Sequence, residues 1–110
     1  MDKIIAFDCD GTLEISNGPV SLDTLKELQK KGWRVGICGN WQLAKKHVDS
    51  LDFYVGSPKT QSLKQEGSDF DLKIYVADTL DDEQAAKEAN WQFIYAQDFE
   101  AVKVLKKSSS

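Results

Sequence analysis

Five short apolar runs recur along the chain, each followed by a polar cluster and then by a stretch with helical spacing. Lys3 to Phe7 is apolar after its first residue, the pattern of a strand buried on both faces, and stops abruptly at Asp8-Cys9-Asp10-Gly11-Thr12. Ser21 suits the N-cap of a helix whose Leu22, Leu25 and Leu28 share one side, with Asp23 near its positive end and Gly32 at its stop. Trp33 to Cys38 predicts the second strand, and Leu43, Ala44, His47 and Val48 form the stripe of a helix from about Trp41 to Ser50. Phe53 to Val55 predicts a short third strand. The breakers Gly56-Ser57-Pro58 precede a modest helix over Lys59 to Gln65, ended by Gly67 and Ser68. Ile74 to Ala77 and Phe93 to Ala96 predict strands four and five, joined by an Ala-rich helix that opens on the acidic run Asp81-Asp82-Glu83. A final helix covers Asp98 to Lys106.

Buried strands alternating with helices predict an α/β fold: a three-layer, Rossmann-like domain with an open parallel sheet of about five strands. In such sheets ligands bind outside the carboxyl ends of the strands, where the strand order reverses, and the candidate polar clusters all follow strands. At 110 residues there is room for one layered core and no separate substrate domain, so residues 1–107 read as a single domain and 108–110 as a frayed tail. Apolar residues at 41% against 29% charged are a globular balance.

A net charge of −4 supplies no global positive field for a nucleic-acid backbone or an anionic membrane. The first apolar run is too short for a secretion signal, and nothing approaches the roughly 20 residues that span a bilayer, so a cytoplasmic location is expected. Cys9 and Cys38 belong to no CxxC pair, and side-chain alternation along their strands argues for two independent thiols. His47 reads as a packing or surface residue of a helix, and Trp33 and Trp91 as packing at the strand ends remote from the polar clusters. Trp41 follows strand two at the carboxyl edge, where it either walls a pocket or packs its helix.

Anionic oxygens on a phosphate ester repel nucleophiles, so its hydrolysis needs a positioned nucleophile, a cation to neutralise charge and an acid for the leaving group. Asp8 and Asp10, leaving one strand together, can both approach one pocket, and an oxygen-rich, partly hydrated site of this kind suits Mg²⁺. The block Asp8-Cys9-Asp10-Gly11-Thr12-Leu13 after Ile4-Ile5-Ala6-Phe7 resembles the first motif, DxDGT(L/V), of the haloacid dehalogenase-like superfamily. The resemblance extends from Lys3 to Phe99 and implies a capless phosphatase. In that family the first Asp becomes phosphorylated, while the second protonates the leaving oxygen, activates water and supplies the metal with its backbone carbonyl. Those roles map onto Asp8 and Asp10.

The family's acidic fourth motif, commonly GDxxxD, is matched by Asp78 and Asp82, with Ala77 in place of Gly and Asp81 as the alternative second carboxylate. These residues, with Asp8 and Asp10, form the implied metal set. The charge-neutralising lysine of the third motif is Lys59, beside Pro58, or Lys64. The second motif, a Ser or Thr hydroxyl at the end of strand two, reads Cys38-Gly39-Asn40 here. A thiol is a weaker donor, so phosphate would depend more on Lys59 and on the N–H groups of Gly39 and Asn40. The resemblance therefore implies a Mg²⁺-dependent phosphomonoesterase acting on a small or macromolecular phosphate ester. The rival reading is a non-catalytic binding or regulatory module that keeps the metal site. With no inserted cap and no apolar interface stripe, an open site on a monomer is favoured, with neither nucleic acid nor membrane as partner.

Overall fold

The computed structural model describes residues 2–108. Five strands form one sheet: β1 (Lys3–Asp8), β2 (Arg34–Cys38), β3 (Phe53–Val55), β4 (Leu72–Ala77) and β5 (Gln92–Tyr95). All neighbours are parallel and their order is β3-β2-β1-β4-β5, so the chain builds outward on one side of β1 and then on the other. The α/β expectation of an open parallel sheet holds. The order reverses between β1 and β4, and that crevice is where ligands bind in open sheets.

Helices α1 (Leu22–Lys30), α2 (Trp41–Ala44), α3 (Lys59–Gly67), α4 (Leu80–Glu88) and α5 (Ala101–Ser108) complete the chain. Strand alternation divides the core in two. Ile5 and Phe7 of β1 pack with Leu25 and Leu28 of α1 and Val104 of α5, whereas Ile4 and Ala6 pack with Leu63 of α3 and Ala86 of α4. The Ser21 side chain accepts from the Thr24 N–H as the N-cap of α1. Burying Leu25 and Leu28 is worth about 2 kcal/mol each against about 1 kcal/mol for such a cap, so the apolar stripe holds α1 to the sheet. Trp33 and Trp91 are core residues, and the Trp91 indole N–H donates to the Leu63 carbonyl at 2.9 Å. Asn90 ends α4 with φ of 65°, the left-handed conformation in which Gly is common.

Three expected elements differ. The helix over Trp41–Ser50 is a single turn, α2, followed by a 3₁₀ turn at Val48–Ser50, so His47 lies between elements rather than mid-helix. Of the stripe only Ala44 is fully buried, and one buried position is too little apolar contact to propagate a helix. The last helix begins at Ala101 because Ala96–Asp98 forms a 3₁₀ turn and Phe99 leaves it extended to pack on Phe7, ring centroids 5.2 Å apart. Ser108 belongs to α5; of the expected frayed tail, Ser109 and Ser110 lie outside the described residues. No helix among the described residues is long and apolar enough to cross a membrane.

Candidate functional site

β1 ends at Asp8, whose Cα pairs with that of Cys38 on β2, while Ala6 and Phe7 pair with Tyr75 and Val76 on β4. Side chains alternate along a strand, so Asp8, Cys38 and Tyr75 all project toward the α3/α4 layer. α3 opens on Lys59 at this edge, and α4 carries Asp82 on its first turn. One crevice thereby collects a carboxylate, a lysine and a second carboxylate from three elements, β1, α3 and α4.

The Lys59 Nζ lies 3.5 Å from Asp8 Oδ1 and forms a close ion pair with Asp82 Oδ1. Asp82 is held from three sides. Tyr75 donates to its Oδ1 at 3.0 Å, Thr79 Oγ1 donates to its Oδ2 at 2.7 Å, and the Asp82 N–H donates back to Thr79 Oγ1 as an N-cap. Carboxylate oxygens of Asp8, Asp78 and Asp82 all fall within 4.8 Å of one another, an acidic group that could hold a metal ion. Lys64 and Asp81 are exposed on the outer faces of their helices, so the lysine and the second carboxylate at the site are Lys59 and Asp82.

Asp8 is 8% exposed, and its carboxyl is pushed up to about 6. Burial is the main cause, opposed by the Lys59 charge and reinforced by that of Asp82. Lys59 is raised above the ordinary lysine value: burial opposes its charge, but Cys38 and the carboxylates Asp82 and Asp8 outweigh it. It is therefore a fixed cation.

Asp10 sits apart, on the loop after β1. Its Oδ1 accepts from Ser16 Oγ at 2.6 Å and from Asn40 Nδ2 at 2.9 Å, and these bonds hold its carboxyl below the ordinary carboxylate value. The side chain is thus engaged by Ser16 and Asn40, leaving only its backbone carbonyl as the metal ligand expected of it, and the acidic side-chain group consists of Asp8, Asp78 and Asp82. The loop is tied to itself: Gly11 N–H donates to the Ser16 carbonyl, and Val20 N–H to that of Thr12.

The residues expected to bind phosphate are placed unevenly. Cys38 is fully buried, and its sulfur lies 3.2 Å from the Tyr75 oxygen, whose one proton goes to Asp82, so the thiol serves packing rather than an open phosphate position. The Gly39 N–H expected to face phosphate donates to the Val55 carbonyl instead, at 3.3 Å. Gly39 is nevertheless against the site, for a Cβ there would lie 2.8 Å from Asp8 Oδ1. Asn40 reaches the site through its side-chain bond to Asp10. Tyr75, Thr79 and Ser16 are the site residues that motif reading missed.

Gly11, at φ of 72°, passes so close to Asp78 that an added Cβ would meet its Oδ2 at 1.9 Å. Gly11→Ala is expected to displace that carboxylate and weaken divalent-ion binding roughly tenfold or more in calorimetric titration. Unaltered affinity would remove Asp78 from the ligand set. Beside the acidic group, a cleft of about 330 Å³ is lined by Gly11, Pro19, Asp78, Tyr95, Ala96 and Gln97. No protein-family model matches the chain, and no curated protein does so either.

Proposed function

We propose that the chain is a Mg²⁺-dependent phosphomonoesterase that works through a phosphorylated Asp8. The observation that carries this reading is the convergence of Asp8, Asp78 and Asp82 on one point with Lys59 beside Asp8, while Asp10 stands on the adjoining loop. Asp8, Asp78 and Asp82 would hold the ion with the backbone carbonyl of Asp10, and Mg²⁺ would supply neutralisation of the phosphate charge.

The chain's own residues account for the rest. Asp8 is ionised above about 6 and attacks phosphorus, and the bond to the leaving oxygen breaks in line with the new one. Lys59 offsets the charge gathering on the phosphoryl oxygens. Asp10 gives its proton to the leaving oxygen; the approach of an anionic phosphate raises its carboxyl and favours the protonated form. The resulting Asp10 carboxylate then takes a proton from water, whose oxygen attacks phosphorus, releasing inorganic phosphate and restoring Asp8.

The second reading, a metal-binding module without turnover, is favoured by one observation: Cys38 places no hydroxyl at the end of β2, and its thiol is committed to Tyr75. Hydrolysis of 4-nitrophenyl phosphate, with Mg²⁺ and with chelator, separates the two. The expected result is slow release of phosphate that chelation abolishes. No release from a broad panel of esters, with Mg²⁺ still bound, would leave the binding module.

A further inference from the structure

In an in-line displacement the leaving oxygen lies across phosphorus from the nucleophile. With Asp8 as nucleophile and Asp10 as proton donor, a reading on which this inference rests, the leaving group emerges beside Asp10. The Asp10 carboxylate is held by the Asn40 side chain at 2.9 Å, and the next residue is Trp41, with Cα atoms about 3.8 Å apart across that peptide. Trp41 is 50% exposed, whereas Trp33 and Trp91 are 2% and 4% exposed.

The indole is also braced. Trp41 meets Tyr54 with ring centroids 4.9 Å apart and planes at 70°, and the Tyr54 hydroxyl donates to the Gly39 carbonyl at 3.3 Å. In an edge-to-face pair at least one face of each ring is left uncovered by the other. Asn40, at φ of 32°, turns the chain so that α2 begins at this edge of the sheet with Trp41 as its first residue. Packing alone would favour a covered indole. Instead a large aromatic surface stands open one residue from the side chain that holds Asp10, its position set by a second aromatic ring.

We infer that Trp41, braced by Tyr54, is a platform for the leaving group and selects phosphate monoesters whose leaving group carries a planar ring. Ring stacking on an indole is tolerant of ring identity, so aryl-type esters and nucleoside monophosphates share the required chemistry. They differ in how far the ring stands from the ester oxygen.

The test compares benzyl phosphate with ethyl phosphate, esters of two alkanols of similar acidity, and adds uridine 5′-monophosphate. In Trp41→Ala the kcat/KM of a ring-bearing ester relative to ethyl phosphate should fall roughly tenfold, the scale of one base–aromatic stack, and Trp41→Phe should restore most of it. A fall for benzyl phosphate places the ring at the first carbon, and a fall for the nucleotide alone places it one sugar away. Turnover of all three esters with unchanged ratios in Trp41→Ala would overturn the inference and leave the phosphatase reading standing. Absence of turnover on every ester would defeat the phosphatase reading instead. Tryptophan fluorescence then decides the platform: saturable quenching by uridine 5′-monophosphate that disappears in Trp41→Phe supports it, and no quenching overturns it.

Discussion

Asp8→Asn is expected to abolish turnover and, in the absence of divalent ions, to make the fold more stable. The amide cannot attack phosphorus, so loss of activity follows from the proposed chemistry. The gain in stability follows from burial. Asp8 is held at about 6 in the folded chain against about 3.9 for an unstructured Asp, so the unfolded state carries the charge more readily. A carboxyl whose folded pKa is raised costs nothing below the unfolded value, where both states are protonated. The cost grows as pH rises through the interval between the two values and is complete above about 6. At about 1.4 kcal/mol per pKa unit, the full cost is about 3 kcal/mol. Thermal or urea unfolding with chelator should therefore show the Asn variant gaining about that much at pH 7.5 and little at pH 4. Adding Mg²⁺ should reverse the order by stabilising the native protein more than the variant. Equal stability of the two proteins at pH 7.5 would mean that Asp8 is adequately neutralised without an ion.

The second large effect concerns Lys59. Lys59→Ala removes the only cation that reaches Asp8 and Asp82 among the described residues, leaving two nearby carboxylates without a counter-charge. Removing one partner of a fully buried pair costs about 3–5 kcal/mol. The lysine side chain is 31% exposed, so solvent screening reduces the expected loss to about 2 kcal/mol at pH 7.5. Without the lysine, Asp8 rises further. The loss should shrink as pH falls toward 5 and Asp8 takes up its proton, and Mg²⁺ should offset part of it. Activity should fall roughly 100-fold or more, the scale of losing one preorganised stabilising group in a transition state. Unchanged turnover, or a loss of stability that persists at pH 5, would show that Lys59 is not the neutralising charge.

The strands and the acidic positions were legible because both rest on short-range pattern. An apolar run predicts a doubly buried strand, and in this chain Asp8 and Asp78 follow such runs where the sheet order reverses. Tyr75 was not legible, because one tyrosine inside Leu72–Ala77 looks like core. Only the register, with Ala6 paired to Tyr75 and Asp8 two residues beyond Ala6, shows that it faces the same layer as Asp8. Register depends on tertiary packing and is invisible along one strand. Thr79 did leave a local signal, a hydroxyl residue three positions before an acid at a helix start, the pattern of reciprocal capping. Cys38 was assigned by position at a strand end, and its burial against Tyr75 is a pairwise contact between distant segments. The helix over Trp41–Ser50 was overextended because its spacing was helical while too few of its apolar groups found a surface to cover.

The two cysteines are linked by a backbone hydrogen bond, Cys9 N–H to the Cys38 carbonyl at 3.2 Å, yet their sulfurs belong to opposite halves of the core. The sheet separates them as a partition would. Burial pushes both thiols up to about 12, so neither offers a reactive thiolate while the chain is closed. A thiol reagent therefore reaches Cys9 only when the α1/α5 layer opens, and Cys38 only when the α3/α4 layer opens. The molecule carries a built-in pair of clocks, one for each side of its sheet, that run at the same rate only when the whole structure comes apart at once.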